Sequence, residues 1–525
     1  MQLLQSLTDH PPSPHLPMPP PASPQYILAL DLGTTGNRAF LFDQESQIVG
    51  SAYKELTQYY PQPGWLEHDP LEIWQDTQFV IQAAIQNAGI EPAQIAAIGL
   101  TVQRETCLLW DRTTGHPLHR AIVWQDRRTA PMCNQLREQG HTQEIFDRTG
   151  LVIDAYFSAT KLAWLLEHAV TSDINLENVL AGTIDTWVLW NLTGRQVHAT
   201  DDTNASRTML FNITTRQWDD RLLELFNIPS SILPKVQPSL SEFGATDASL
   251  FGAEIPVTGI LGDQQAALFG QGCDRLGLMK CTYGTGCFLV AHTGNEIVRS
   301  RHQLLSAIAW TAIPTAHSPY PISPLSYALE GSLFTTGACI QWLRDGMGLI
   351  QTAPQTESLA NQVPDNGGVY FVPALSGLGA PHWDMGARGA FFGITGGVKR
   401  EHMVRAVLEA IAFQVREVVL AIKEDCSTEG QRLKVDGGAC ENNFLMQFQA
   451  DVLGIPVERP VMRDSTVLGA AFAAGLTVGF WNDYGKLISQ RQIDRIFEPG
   501  AGASQALNHF ATWQKAVERA KHWVA

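Results

Sequence analysis

Apolar positions along this chain gather in short runs that stop at glycine- and threonine-rich turns. The first run, Ile27 to Leu30, ends at Asp31; Gly33-Thr34-Thr35-Gly36 comes next, and Ala39 to Phe42 resumes the run. Runs this short, split by a glycine turn, predict two buried strands joined as a hairpin. Residues 70–88 (PLEIWQDTQFVIQAAIQNA) change period. Their apolar positions fall three and four apart, Pro70 opens the segment and Asp69 precedes it as an N-cap, so a helix is predicted. QIAAIGLTVQ at 94–103 predicts another buried strand, ending at Arg104-Glu105. Strand and helix alternate in this way through the chain, which predicts α/β layers.

A second hairpin pattern, MKCTYGTGCFLVAHTG, begins at Met279, and its turn Tyr283-Gly284-Thr285-Gly286 again mixes glycine with a hydroxyl residue. The two hairpins lie about 250 positions apart. The simplest account is two lobes of related design facing one cleft, divided near residues 270–276 into 25–272 and 273–525. KVDGGACENNFLMQFQADVLG, from Lys434, reads as strand, Gly-Gly turn and helix, and the final segment from Ala506 as an amphipathic helix on the second lobe. Residues 1–24 stand apart: eight of the 24 are proline, and a disordered tail is expected there.

Composition narrows the function. The 525 residues carry 36 Lys+Arg against 52 Asp+Glu, a net charge of −16, which argues against a nucleic-acid partner. It leaves room for small anionic ligands, which need only a local nest of donors. Eight scattered cysteines without a C-x-x-C pair suit reduced thiols and a cytoplasmic location rather than a disulfide scaffold or zinc ribbon. No run of 18 apolar residues predicts a membrane span, and no basic region with an apolar core predicts a secretory leader.

Three glycine turns come after apolar strands: 33–36, 284–286 and Gly437-Gly438. Glycine lets the backbone approach a ligand, and successive N–H groups with hydroxyls make an anion nest. Three in one chain favour nucleotide phosphate, although neither a P-loop nor a strand-borne G-x-G-x-x-G is present. Asp31, at the mouth of the first nest, is suited either to a hydrated magnesium ion or to bonding its own turn. Asp263, where the strand VTGIL runs through Gly262 into a helix, can take a proton from an attacking hydroxyl or cap that helix. Arg104 and Glu105 offer the donor and acceptor that vicinal hydroxyls need, or form an exposed ion pair. Trp124 and Phe288 suit the C–H faces of a small polyol, or core packing.

Taken together, these segments resemble the FGGY carbohydrate kinases, and among them the members that act on glycerol. The resemblance spans about residues 25–520 and rests on long stretches, including ALDLGTTGNRAF, AAIGLTVQRET, AIVWQDRRT, DTNASRTMLFNI, GILGDQQAALFG, TYGTGCF and YALEGSLFTTGACIQWLRD. YFSATKLAWLLEH at 156–168 and GAFFGITGGVKREHMVRAVLE at 389–409 correspond to the family's signature regions. It implies two ribonuclease-H-like lobes around a cleft, the actin/hexokinase/heat-shock ATPase fold. It also implies ATP-dependent, magnesium-assisted phosphorylation of glycerol to glycerol 3-phosphate, in a homo-oligomer (dimer or tetramer) without membrane insertion. A kinase of another polyol or a pentulose is the alternative within the family, and an actin-like nucleotide-binding protein the alternative outside it.

By the same resemblance the polyol contacts are Arg104, Glu105, Trp124, Tyr156, Asp263, Gln264 and Phe288, with Asp263 as general base. The nucleotide and phosphate contacts are Thr34, Thr35, Gly36, Arg38, Thr285, Gly337, Gln341, Gly438 and Asn442. Asp31 and Asp263 are the metal-associated acids. Where the family has D-Q-G-T-T-S-S-R, this chain has Leu32, Gly36 and Asn37 in place of Gln, Ser and Ser, which implies one phosphate donor fewer at Gly36. Residues 244–258 lack both the Gly-rich, Arg-bearing loop with which some relatives bind fructose 1,6-bisphosphate and the histidine that others phosphorylate.

Overall fold

A computed structural model describes residues 25–524 apart from 173, 314–321 and 429; the Pro-rich tail of residues 1–24 lies outside the described residues. The first hairpin forms as its pattern predicts: β1 (Tyr26–Leu32) pairs antiparallel with β2 (Gly36–Phe42), and β3 (Ile48–Glu55) continues the meander. Helix α1 (Pro70–Ala88) starts where Asp69 accepts the Leu71 N–H at 2.9 Å and stops at Gly89, which takes the left-handed conformation a helix end favours. It buries Ile73, Val80, Ile81 and Ala84 against the sheet. Strand β4 (Ile95–Val102) then lies parallel to β1, and β5 (Val257–Gly262) parallel to β4, giving the order β5-β4-β1-β2-β3.

Between β4 and β5 the chain makes further structure. There Ala121–Ile122, Cys107–Asp111 and Val179–Thr183 join Glu67–His68, from ahead of α1, in a small sheet that carries Trp124 just past one of its strands. Helix α2 (Asp263–Gly270) continues directly from β5.

The second lobe repeats the plan. Strands β6 (Leu278–Tyr283) and β7 (Cys287–Gly294) form the second hairpin; β8 (Leu305–Thr311) and β9 (Leu325–Leu333) extend it, β9 lying beside β7. After helices α3 (Gly337–Gln341) and α4 (Arg400–Cys426), β10 (Arg432–Asp436) pairs parallel with β6. Helix α5 (Asn443–Leu453) leads to β11 (Val457–Pro460), parallel to β10. The order β9-β7-β6-β10-β11 therefore matches β3-β2-β1-β4-β5 strand for strand. The two similar hairpins seen in the sequence are the matching corners of two related sheets.

One element crosses over. Helix α6 (Ser465–Thr477) belongs to the second half of the chain, yet it packs on α2 and on β1, β4 and β5 of the first sheet. The two helices touch backbone to backbone, because a Cβ at Gly469 would overlap the Ala266 carbonyl. Strand β12 (Ile493–Phe497) closes the second sheet, and the amphipathic α7 (Ala503–Ala520) packs on α5 of that lobe as expected. No helix among the described residues is long and apolar enough to cross a membrane.

Candidate active site

Three parallel strands of the first sheet end level with one another: Leu32, Val102 and Gly262 are register partners. The segments that leave these strand ends face the same cleft, the usual ligand edge of such sheets. Asp31 and the turn 33–36 come from β1, Arg104 and Glu105 from just past β4, and Asp263 from the first residue of α2.

Asp31 keeps 13% of its side chain exposed and accepts no hydrogen bond among the described residues; its nearest cation is Arg38, at 3.9 Å. Burial pushes its carboxyl up to about 7; Arg38 pulls it down, while Asp263 and Asp464 push it further up. Arg38 itself bonds Asp464, the residue before α6, at 3.0 Å. Asp263 does not cap α2, whose N-cap is Gly262. One of its oxygens meets Arg104 Nε at 2.9 Å and the Gln264 N–H at 2.7 Å, and its side chain is 30% exposed to the cleft. The other oxygen accepts no bond among the described residues.

Arg104 and Glu105 are not an exposed pair. Both are buried, and they approach each other only to 3.9 Å. Glu105 sits at a φ of +62°, a region that glutamate avoids unless its surroundings hold it there. Burial raises its carboxyl above the usual range, against the pull of Arg207 and Arg104. Trp124, Tyr156 and Phe288 form an aromatic wall, with ring centres 5.5 Å apart for Trp124–Tyr156 and 5.9 Å for Trp124–Phe288. Phe288 comes from β7, so this wall spans both lobes. The Trp124 indole N–H donates to Thr34 Oγ1 at 2.8 Å, joining the aromatic wall to the first glycine turn. A cavity of about 510 Å³ opens to solvent beside Trp124, lined also by Trp65, Arg127, Phe334 and Arg388.

The opposite wall gathers the other glycine turns. Gly437, at a φ of +81°, lies so close to Tyr283 that a Cβ there would stand 2.6 Å from its carbonyl oxygen. The Gly337 N–H donates to the Gly284 carbonyl, and the Thr336 and Ala338 N–H groups to that of Thr285. Thr285 is exposed, and Gly438 faces open space. Thr34, Thr35, Arg38, Thr285, Gly337 and Gly438 thus line the cleft edges of the two sheets. Asn442 is otherwise engaged: it caps α5 through Leu445 N–H and donates to Thr356. Gln341 is exposed at the end of α3. The Gln264 side-chain oxygen is held by the buried Lys280 ammonium, which also donates to Thr282 at 2.8 Å.

The departures at 32, 36 and 37 have local reasons. Leu32 packs into the core beneath the turn, and Asn37 donates to the Ile73 carbonyl of α1, so both side chains leave the phosphate side. At Gly36 the Tyr53 ring fills the space that a Cβ would take.

Three buried charges that touch the site residues escaped the sequence reading: Arg207, Lys280 and Glu330. Glu330 carries the clearest signal, an acid directly after the apolar run Tyr327 to Leu329. It accepts from Arg104 at 2.6 and 2.9 Å, from Arg207 at 3.2 Å and from Ser332 at 3.0 Å. Burial would raise its carboxyl, but the two guanidinium groups hold it down at about 2.

Two related lobes, a cleft carrying an acid and a polar, aromatic-walled pocket, and converging glycine turns define a phosphotransferase of the actin-like fold. Family models agree: the N-terminal domain of the FGGY family of carbohydrate kinases matches residues 26–270 and its C-terminal domain residues 279–478. The chain belongs to that family. It is 70% identical over 503 residues to a glycerol kinase of Trichormus variabilis, covering 96% of this chain and 99% of that one. Among solved structures it resembles the glycerol kinase of Plasmodium falciparum with ADP (TM-score 0.86, 36% identity, 95% of this chain and 98% of that chain). A xylulose kinase of Lactobacillus acidophilus shares the fold at 22% identity and a TM-score of 0.83, over 94% of this chain and 98% of that one.

Proposed function

We propose that this protein transfers the γ-phosphoryl group of ATP to a terminal hydroxyl of glycerol. The observation that carries the reading is one Asp263 oxygen left free while the other is held by the buried Arg104, with Glu105 next to it in the chain and the rings of Trp124, Tyr156 and Phe288 forming the wall. A small triol offers both donors and acceptors for that arginine and glutamate, and carbon faces for the rings. The similarity to glycerol kinases over nearly the whole chain supports the same substrate.

Phosphoryl transfer asks the protein for alignment and charge balance rather than covalent chemistry. Asp263 accepts the proton of the attacking hydroxyl as the new O–P bond forms. The hydroxyls and N–H groups of Thr34, Thr35 and Thr285 balance charge on the transferring group, and the open Gly438 lets the nucleotide lie against the backbone near Gly337, whose own missing side chain makes room for the Gly284 carbonyl. Closure of the lobes excludes water, which protects ATP from hydrolysis.

Asp31 fits a magnesium ion, being a carboxylate on the cleft that accepts no hydrogen bond among the described residues and that neighbouring acids destabilise. Among the described residues no group of three or more His, Cys, Asp or Glu could hold a metal ion, so the ion's remaining ligands would be phosphate and water. Bound there, magnesium would neutralise phosphate charge. The eight free cysteines support a reducing, cytoplasmic setting, and β3, at the edge of the first sheet among the described residues, offers a second copy a strand edge for a homo-oligomer.

The test is a coupled ADP-release assay on a panel of glycerol, other polyols and pentuloses, with wild type and Asp263→Asn. Glycerol-dependent release that falls by about 10³-fold or more in the variant is expected. Faster turnover of a pentulose would overturn the substrate, and ADP release indifferent to every acceptor would overturn the kinase reading.

A further inference from the structure

Five charged groups alternate in sign through the base of the cleft: Asp263, Arg104, Glu330, Arg207 and Glu105. Four of them come from the first lobe. Glu330 alone comes from β9 of the second lobe, and it is the middle link. It grips Arg104 through both terminal nitrogens, leaving Arg104 Nε for Asp263, and it holds Arg207, whose Nε in turn holds Glu105 at 2.6 Å.

This arrangement is a poor way to gain stability. Burying charges costs solvation that pairing barely returns, and apolar replacements of such networks are often as stable. Arg207 is fully buried, and its Nη1 has no hydrogen-bond partner among the described residues, a further cost. What the network does supply is orientation. Arg104 has donors for either carboxylate; without Glu330 its forked end keeps only the Gln265 side-chain oxygen, at 3.2 Å, as a partner and can turn toward Asp263. Glu105 is held in a strained backbone conformation, with Arg207 as its side-chain anchor.

We propose that Glu330 is a positioning residue of the acceptor pocket: the second lobe, through this carboxylate, sets Arg104 directly and Glu105 by way of Arg207 for binding the polyol. The inference rests on the proposed phosphorylation of glycerol. Because the clamp joins both lobes beneath the acceptor, it ties acceptor affinity to the arrangement of the lobes while leaving the nucleotide wall untouched.

The test is steady-state kinetics of Glu330→Gln and Glu330→Asp beside the wild type, with calorimetric titration of Mg-ADP. For Glu330→Gln the KM for glycerol is expected to rise about 10- to 100-fold, as for the loss of a hydrogen-bonded charge. Glu330→Asp should recover part of that loss. The KM for ATP, the Kd for Mg-ADP and ATP hydrolysis without acceptor should stay within about twofold, which a merely structural lesion would not respect. An unchanged KM for glycerol in a glycerol-active enzyme would overturn the clamp alone. A wild type inert to glycerol would overturn the assigned function and the clamp with it. Should neither variant fold, a crystal structure of the wild type with glycerol decides: Arg104 bonded to both Glu330 and the polyol supports the clamp, and an Arg104 that has left Glu330 for the polyol overturns it.

Discussion

Asp31→Asn should make the ligand-free protein more stable while removing its turnover. The carboxyl moves from an ordinary 3.8 to about 7 on folding, a rise of roughly 3 units, chiefly because burial strips it of water. At ~1.4 kcal/mol per unit this is about 4 kcal/mol at most, and the 13% exposure that remains to the side chain brings the expectation to about 2–4 kcal/mol. The sign comes from proton counting. Between about pH 4 and 7 the folded protein keeps a proton that the unfolded chain has released, so wild-type stability falls as pH rises through that window. Below it the penalty vanishes; above it the penalty is complete. Asparagine has no such dependence. Thermal melting of both proteins from pH 4.5 to 8.5 should therefore show curves that nearly coincide at the acid end and separate by a few degrees at pH 8, with the variant higher. Adding Mg-ADP should raise the wild type more than the variant, because the carboxylate then has a cation to meet. A gap that does not change with pH, or a variant that melts lower at pH 8, would refute the reasoning.

Restoring the family's serine by Gly36→Ser should lower both activity and stability, by about 1–3 kcal/mol in the latter, since its Cβ would stand 2.7 Å from the Lys54 carbonyl and overlap the Tyr53 ring; urea unfolding and ADP release check it. Gly469→Ala should cost about 3 kcal/mol or prevent folding, read from soluble yield and melting, whereas Gly89→Ala, with open space around it, should lose only about 1 kcal/mol, from its left-handed backbone. Ellman's reagent at pH 8 should find fewer than two reactive thiols in the native protein and all eight after denaturation, because every cysteine but the half-buried Cys426 is buried and burial pushes thiols such as Cys107 and Cys339 up to about 12. Glu330→Gln, finally, should impair use of glycerol in steady-state kinetics without impairing Mg-ADP binding in calorimetry.

The parts of this fold that the sequence makes legible are those written in neighbouring residues. The two hairpins, the helix over 70–88 with its aspartate cap and its glycine stop, and the strand-to-helix junction at Asp263 each depend on a dozen or so consecutive positions. The candidate site was legible where a residue stands at the end of such a strand. Glu330 was not, because its meaning lies in Arg104, 226 residues away, and in Arg207, 123 away; nothing local distinguishes a paired buried acid from a misplaced one. Asn442 came from the family resemblance alone; what its neighbours in sequence do not show is that its side chain also starts the next helix, by accepting the Leu445 N–H. The return of α6 to the first sheet was hidden as well. A helix apolar on every face packs equally well against any sheet, and only the tertiary arrangement says which.

That return has a mechanical consequence. Where Gly469 of α6 lies against Ala266 of α2 the two backbones touch with no side chain between them, so the spacing of the helices is fixed at that point. The acid proposed to receive the substrate's proton stands at the start of one helix, and Asp464, which bonds Arg38 of β2, stands at the start of the other. A single methyl group at position 469 would therefore push the helices apart at their crossing and shift Asp263 relative to Asp464 at their ends.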